Sequence, residues 1–143
     1  MTDFVYFITS DKIGSQDPDL GARLMYTFFL KLVQAVHLPA HILLMERGVL
    51  LLSESLCLDP IKVLEGRGVE ILACQTCLDL YENAPSSLST GEGYREGGIF
   101  ILRCARPGHG SYYGIKERMG AGKVSDMPDI IEAMQTAGKV IHL

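Results

Sequence analysis

The chain has 143 residues, of which 48% are hydrophobic and 21% charged, and its formal net charge is −4. This composition is typical of a single globular domain with one core, and it excludes a disordered, collagen-like or disulfide-stapled chain. The 17 acidic and 13 basic residues form no basic stripe, so we expect no nucleic-acid partner. No apolar run reaches the roughly 18 residues that span a bilayer, and the N-terminus lacks a signal-peptide pattern. We therefore expect a cytosolic protein with no membrane partner.

The first half of the chain alternates short apolar runs with amphipathic segments. Three strands are expected here, over residues 3–9, 41–45 and 69–73. From Pro18 to just before Pro39, apolar residues recur at steps of three and four, which predicts a helix. A second helix is expected with Asp59 as its N-cap and Pro60 as its first residue.

In the second half, a polar segment interrupts the alternation of apolar runs and amphipathic segments, which then resumes. The predicted order is a helix that starts near Cys77, a polar loop, a strand over 97–103, a helical turn at 115–119, a strand over 123–126, a helix over 128–137 and a closing strand over 139–143. We interpret residues 80–111 as an insertion. Strands that alternate with helices predict one α/β domain over residues 1–143, with a mostly parallel sheet and helices on both faces.

Cys74 and Cys77 form a CxxC motif where the third strand gives way to a helix. Reactive groups in parallel sheets gather at the carboxyl ends of the strands, and the start of a helix lowers the pKa of a thiol. The position therefore favours a reactive thiol at Cys74. In the alternative interpretation, Cys74 is a small buried hydrophobic residue without chemistry.

Two further residues could turn the motif into a zinc site. Cys104 and His109, both from the insertion, would complete a Cys3His set with Cys74 and Cys77. The long gap and the missing second CxxC weaken this alternative. Cys57 precedes a predicted helix and is expected to be an ordinary, partly buried residue. No glycine pattern of a nucleotide-binding loop follows the first strand, so no cofactor is predicted.

Several short motifs resemble the DsrE/DsrF-like superfamily, above all the C-terminal domain of YedF-type proteins, which are described as selenium-metabolism or sulfurtransferase-like. The motifs are Leu20-Gly21-x-x-Leu24-Met25, Gly68-Val69-Glu70-Ile71-Leu72-x-Cys74-x-Thr76-Cys77-Leu78-Asp79, Tyr113-Gly114-x-Lys116, Gly122-Lys123-Val124-Ser125-Asp126-Met127 and Lys139-Val140-Ile141. They cover nearly the whole chain outside the insertion.

The resemblance implies a flavodoxin-like, three-layer domain with about five strands, assembled into homo-oligomers such as trimers or hexamers. It also implies sulfur relay through a persulfide on Cys74, with Cys77 as a resolving thiol and with donor and acceptor proteins, a TusA-like protein among them, as partners. Such a carrier requires an accessible Cys74 of lowered pKa. Selenium could replace sulfur in this role.

Two departures from the family pattern lie beside the cysteines. Gln75 stands where the family usually has glycine, and the insertion follows the motif directly. Two other classes of function therefore stay open, a non-catalytic oligomeric binding module, with or without zinc, and a dithiol redox switch. The sequence does not decide whether the protein is an enzyme.

Overall fold

The computed structural model of the chain describes residues 3–14, 16–53, 55–83, 93–96, 99–102 and 115–143. Five strands form one sheet: β1 (Phe4–Ile8), β2 (His41–Leu44), β3 (Glu70–Cys74), β6 (Lys123–Ser125) and β7 (Lys139–His142). Two more strands, β4 (Gly93–Glu96) and β5 (Ile99–Leu102), pair with each other in a separate antiparallel sheet.

The five-stranded sheet is parallel at every pairing, in the order β6-β3-β2-β1-β7. The connections from β1 to β2, β3 and β6 all step in one direction along the sheet, and the last connection steps back past β1 to β7. Right-handed crossovers then require the final helix to cover the opposite face. The predicted α/β class and three-layer arrangement are confirmed.

In the described part of the chain, four α-helices and one 3₁₀ helix accompany the strands. They are α1 (Pro18–Val33), the 3₁₀ helix Glu46–Leu52, α2 (Leu58–Gly66), α3 (Gln75–Asn83) and α4 (Met127–Thr136). Asp17 and Asp126 cap α1 and α4, each accepting backbone N–H bonds from the first turn, and a proline lies in each of those first turns.

The prediction of Asp59 as the N-cap of α2 is wrong. The helix begins at Leu58, and no side chain caps it. A turn just upstream starts the helix earlier, because the Leu58 N–H donates to the carbonyl of Ser55 and the Ile61 N–H donates to that of Cys57. Pro60 is tolerated within the first turn because helical N–H groups there have no intrahelical partner.

The start of α3 and the strand β4 also differ from the sequence-based expectations. The helix begins at Gln75, two residues before the predicted position, because it follows β3 without a connecting loop. The strand Ile99–Leu102 lies within the predicted strand 97–103, but its partner Gly93–Glu96 was not predicted. The extent of the insertion, 80–111, stays a prediction.

Alternate residues of β3 pack into two separate hydrophobic cores, one on each face of the sheet. Ile71 and Ala73 pack in the larger core with α1, α2, α3 and the 3₁₀ helix, whereas Leu72 and Cys74 pack in the smaller core under α4. This is the period-two alternation of a strand that is buried on both faces. The strand that ends at Cys74 is therefore covered on both faces, one strand in from the β6 edge of the sheet.

The turn after β2 presses against the end of β1. The Met45 N–H donates to the Ile8 carbonyl at 3.0 Å, and the Gly48 N–H donates to the Met45 carbonyl at 2.8 Å. A Cβ atom added at Gly48 would lie only 2.4 Å from the Ile8 carbonyl oxygen, which is backbone and cannot move aside alone. Glycine is therefore required at position 48 for close approach.

We expect Gly48→Ala to lower the free energy of unfolding by on the order of 3 kcal/mol, because the new methyl group overpacks a backbone contact. Gly66→Ala is the matched control. Nothing lies within 4 Å of a Cβ atom at Gly66, so this change should be neutral or stabilise by about 0.5 kcal/mol. Urea unfolding of both variants measures the difference. Equal stability of the two variants would contradict the close approach.

Candidate functional site at the carboxyl end of β3

The two helical layers separate between β3 and β6. Strand β3 continues into α3 on one face of the sheet, and its neighbour β6 continues through Asp126 into α4 on the other face. Such a switch point opens a crevice outside the carboxyl ends of the strands, where ligands of open α/β sheets bind. Cys74 ends β3 at this point, and its Cα partner on β6 is Ser125.

Cys74 itself is almost completely enclosed. Its exposed fraction is 1%, and it packs in the core under α4 with Leu72 and Ile130. The expectation of an accessible thiol at Cys74 is therefore wrong for this chain. The reason is the strand alternation, which turns Cys74 to the same face as Leu72 and places it beneath α4.

Cys77 lies in the first turn of α3 and is only half-buried. Its side chain packs against both cores, and its Sγ accepts a hydrogen bond from the Glu46 backbone N–H at 3.1 Å. Cys77 also packs against the core that contains Cys74, close enough for the Cys74 side chain to affect the pKa of the Cys77 thiol. The structure thus brings both predicted cysteines together, with Cys77 on the accessible side.

The environment of Cys77 raises the pKa of its thiol instead of lowering it. Burial is the largest cause, since it disfavours the thiolate, and the Glu46 N–H opposes it only in part. The contact with Cys74 raises the pKa further, because two neighbouring thiolates repel each other. The start of α3 therefore does not by itself produce a low-pKa thiol at Cys77.

Glu46 is a functional candidate that sequence reasoning missed. Its φ of 49° lies in the left-handed region, which non-glycine residues seldom adopt. Neither glycine nor asparagine marks the position in the sequence, so no local signal could have indicated the turn. Only the tertiary contacts of residues 45–48 with β1 define it.

Charged residues surround α3 on its solvent side. Lys116 forms ion pairs with Asp79 and, at 3.7 Å, with Glu82, so the turn after residue 114 is held against α3. The hydrogen bond with Asp79 is the largest cause that raises the pKa of Lys116. Asp11, at the other side of the carboxyl edge, pairs with Arg47 at 3.3 Å. Both carboxylates thus have structural partners.

A cleft of about 260 Å³ opens on the α4 face, beside the β3–β6 edge. Glu70 lines this cleft, and its carboxylate forms ion pairs with Lys123 at 2.6 Å and with His41 at 3.3 Å. The hydrogen bond from Lys123 is the largest cause that lowers the pKa of Glu70. Ser125, 6% exposed, also lines the cleft, which therefore reaches the strand position next to Cys74.

The zinc alternative combines Cys74 and Cys77 with two residues of the predicted insertion. Cys104 and His109 lie outside the described residues. Within the described parts of the chain, no three His, Cys, Asp or Glu side chains are grouped so as to hold a metal ion. The described half of the proposed set is the pair Cys74 and Cys77.

Cys57 is remote from the pair in sequence and is 4% exposed, so it is more buried than expected. Burial raises the pKa of its thiol from 9.0 to about 11, and the charge of Asp11 adds to this effect. The folded protein therefore keeps a proton on Cys57 that the unfolded chain loses near pH 9.

A pH dependence of stability follows from Cys57. The contribution is fully present below pH 9 and is lost as the pH rises toward 11, at no more than about 1.4 kcal/mol per pH unit. Cys57→Ala should remove this slope while the slopes from other groups remain. Urea unfolding of both proteins between pH 8 and 10.5 measures the difference. Parallel stability curves would rule out the raised pKa.

The fold and the paired thiols define an α/β protein with a cysteine site at the carboxyl edge of a parallel sheet. Among solved structures, the chain is similar to the crystal structure of the ychN protein from E. coli, with a TM-score of 0.54 and 12% identity over 100% of both chains. The likeness agrees with the predicted α/β fold class. At this identity it shows the fold alone.

Two other comparisons give no match. No protein-family model matches the chain, and no curated protein does so either. The finer resemblance to YedF-type proteins therefore stays a prediction. In the described part of the chain, no helix combines the length and the apolar character needed to cross a membrane. The cytosolic location stays a prediction as well.

Proposed function

We propose that this protein relays sulfur, or selenium in its place, through the Cys74–Cys77 pair, and that Cys77 is the thiol that meets the donor. The observation that supports this most is the unequal burial of two thiols in contact, since Cys74 is enclosed and Cys77 is half-buried. The DsrE-like fold is in keeping with a sulfur relay. The proposal exchanges the roles that the sequence resemblance implies for the two cysteines.

The proposed transfer is an exchange without net oxidation. The Cys77 thiolate attacks the outer sulfur of a donor persulfide, the sulfur–sulfur bond of the donor breaks, and the donor leaves as a thiolate. Cys77 then carries the persulfide until an acceptor thiolate takes the outer sulfur in the same way. Each step forms one sulfur–sulfur bond and breaks one, so no oxidant is needed.

Cys74 acts in this proposal as the buried partner of the carrier. Its thiol lies beside Cys77, so it can donate a hydrogen bond to the transferred sulfur and stabilise charge there without leaving the core. Its burial also keeps it from reacting with solutes directly. Protein donors and acceptors, and assembly into a homo-oligomer such as a trimer or hexamer, belong to the same proposal.

The test is persulfide labelling resolved by cysteine. After incubation with a persulfide donor, mass spectrometry should show the mass of one added sulfur atom on the peptide that contains Cys77. Cys77→Ser should lower labelling of the pair at least about tenfold, because the accessible nucleophile is gone. Cys74→Ala should retain most of it.

The reverse pattern would restore Cys74 as the carrier. An absence of labelling on both cysteines, with the folded protein intact by circular dichroism, would overturn the relay. Cys57→Ala serves as the control, since the buried, high-pKa thiol of Cys57 should contribute nothing to the signal.

The thiol contact also favours a second candidate, a dithiol redox switch. In this reaction oxidised glutathione would accept two electrons and two protons and leave as two reduced glutathione molecules, and a Cys74–Cys77 disulfide would form. Because the two thiols already touch, we expect the linked peptide to form in the folded protein. Acid trapping and mass spectrometry across a redox titration would detect it. A pair that stays reduced in excess oxidised glutathione would exclude the switch.

A further inference from the structure

The turn that ends β2 carries the Glu46 N–H to the sulfur of Cys77. Its φ of 49° costs conformational energy for a glutamate, and it persists because neighbouring contacts fix the turn on both sides. Met45 is hydrogen-bonded to the end of β1, and Gly48 is pressed against the same carbonyl. A strained residue held in this way has its backbone aimed at one side chain, that of Cys77.

We propose that Glu46 is a positioning and specificity-determining residue for Cys77: its backbone N–H holds the sulfur atom, and its carboxylate disfavours anionic sulfur donors. The inference rests on the proposed sulfur relay and names the charge class of donor that this site takes. A donor that is neutral or cationic near its reactive sulfur fits the site. Small anionic donors do not.

The N–H part of the proposal follows from the hydrogen bond at 3.1 Å. A backbone N–H bonds more strongly to a thiolate or perthiolate than to a neutral thiol, since a charged acceptor roughly doubles the strength of a hydrogen bond. The donor is part of a rigid turn, so it needs no rearrangement when the charge develops. It therefore stabilises the sulfur in the state that reacts.

The carboxylate part follows from the short distance between backbone and sulfur. The Glu46 N–H donates to Cys77 Sγ at 3.1 Å, so the exposed side chain of Glu46 leaves the backbone beside the reacting atom. The neighbouring cation, Arg47, is engaged with Asp11 at 3.3 Å. Among the described residues, Cys74 from β3 and Glu46 from the turn act on Cys77, and the charge of Glu46 contributes to the raised pKa of Cys77.

Alkylation with matched reagents tests the charge selectivity. Iodoacetamide and iodoacetate react by the same step, in which the thiolate displaces iodide, but only iodoacetate is an anion. The rate ratio of iodoacetate to iodoacetamide at Cys77, read on its peptide by mass spectrometry, should rise about two- to fivefold in Glu46→Gln. Since salt screens exposed charges, this gain should shrink at high ionic strength.

The matched control is Glu132→Gln on α4, which removes the same charge from a residue that lines the cleft by Glu70. Its ratio should equal that of the wild type. An unchanged ratio in Glu46→Gln, or an equal rise in Glu132→Gln, would overturn the role of the carboxylate. Glu46→Gly should show the gain of Glu46→Gln and unfold at a higher urea concentration, because glycine relieves the left-handed φ.

The backbone part has a spectroscopic signature. In a ¹H–¹⁵N spectrum recorded across the titration of Cys77, the Glu46 amide proton should move downfield as the thiolate forms, and Cys77→Ala should abolish the movement. An amide that stays constant while Cys77 titrates would overturn this part. Persulfide labelling of Cys77 does not depend on the alkylation or the NMR experiment. Labelling of Cys77 with no effect of Glu46 would leave the relay standing and overturn only the role of Glu46. An effect of Glu46 without labelling would overturn the relay.

Discussion

The contact between the turn after β2 and the end of β1 is the constraint on which the site depends. Gly48 can approach the Ile8 carbonyl only because it has no side chain, and Met45 donates to that same carbonyl. The two contacts leave Glu46 with a positive φ and direct its N–H at Cys77. The packing of this turn against β1 therefore determines where the Glu46 N–H lies, and this N–H in turn contacts the Cys77 thiol.

The CxxC spacing places its two cysteines in different physical surroundings. Cys74 follows strand alternation and turns into the core under α4, whereas Cys77, one helical turn later, packs against both cores and is half-buried. The spacing alone treats the two thiols as equivalent. The topology makes them unequal, because the layers separate between β3 and β6 at the residue where the motif starts.

The strands of the parallel sheet were readable from the sequence because buried strands are continuous apolar runs. The predicted segment 41–45 contains the buried strand His41–Leu44, and 69–73 overlaps the buried strand Glu70–Cys74, whereas Lys139–His142 is largely exposed. The order of the strands and the helix that covers each face depend on the crossovers, which hydrophobic periodicity does not encode. For this reason the sequence placed Cys74 within one residue of the end of β3, but it left burial and access at Cys74 as alternatives. Glu46 and the start of α2 depend on tertiary or turn contacts without a local sequence signal.

A raised pKa at Cys77 is compatible with a relay thiol when access and charge are considered together. At neutral pH most of Cys77 is protonated, which protects it from oxidants that react with thiolates. The small thiolate fraction is a strong nucleophile, because nucleophilicity rises with pKa. A donor that brings positive charge to Glu46 would offset the repulsion from its carboxylate and increase that fraction during the encounter. The same residue would then keep the thiol unreactive toward anionic solutes and make it reactive toward a docked partner.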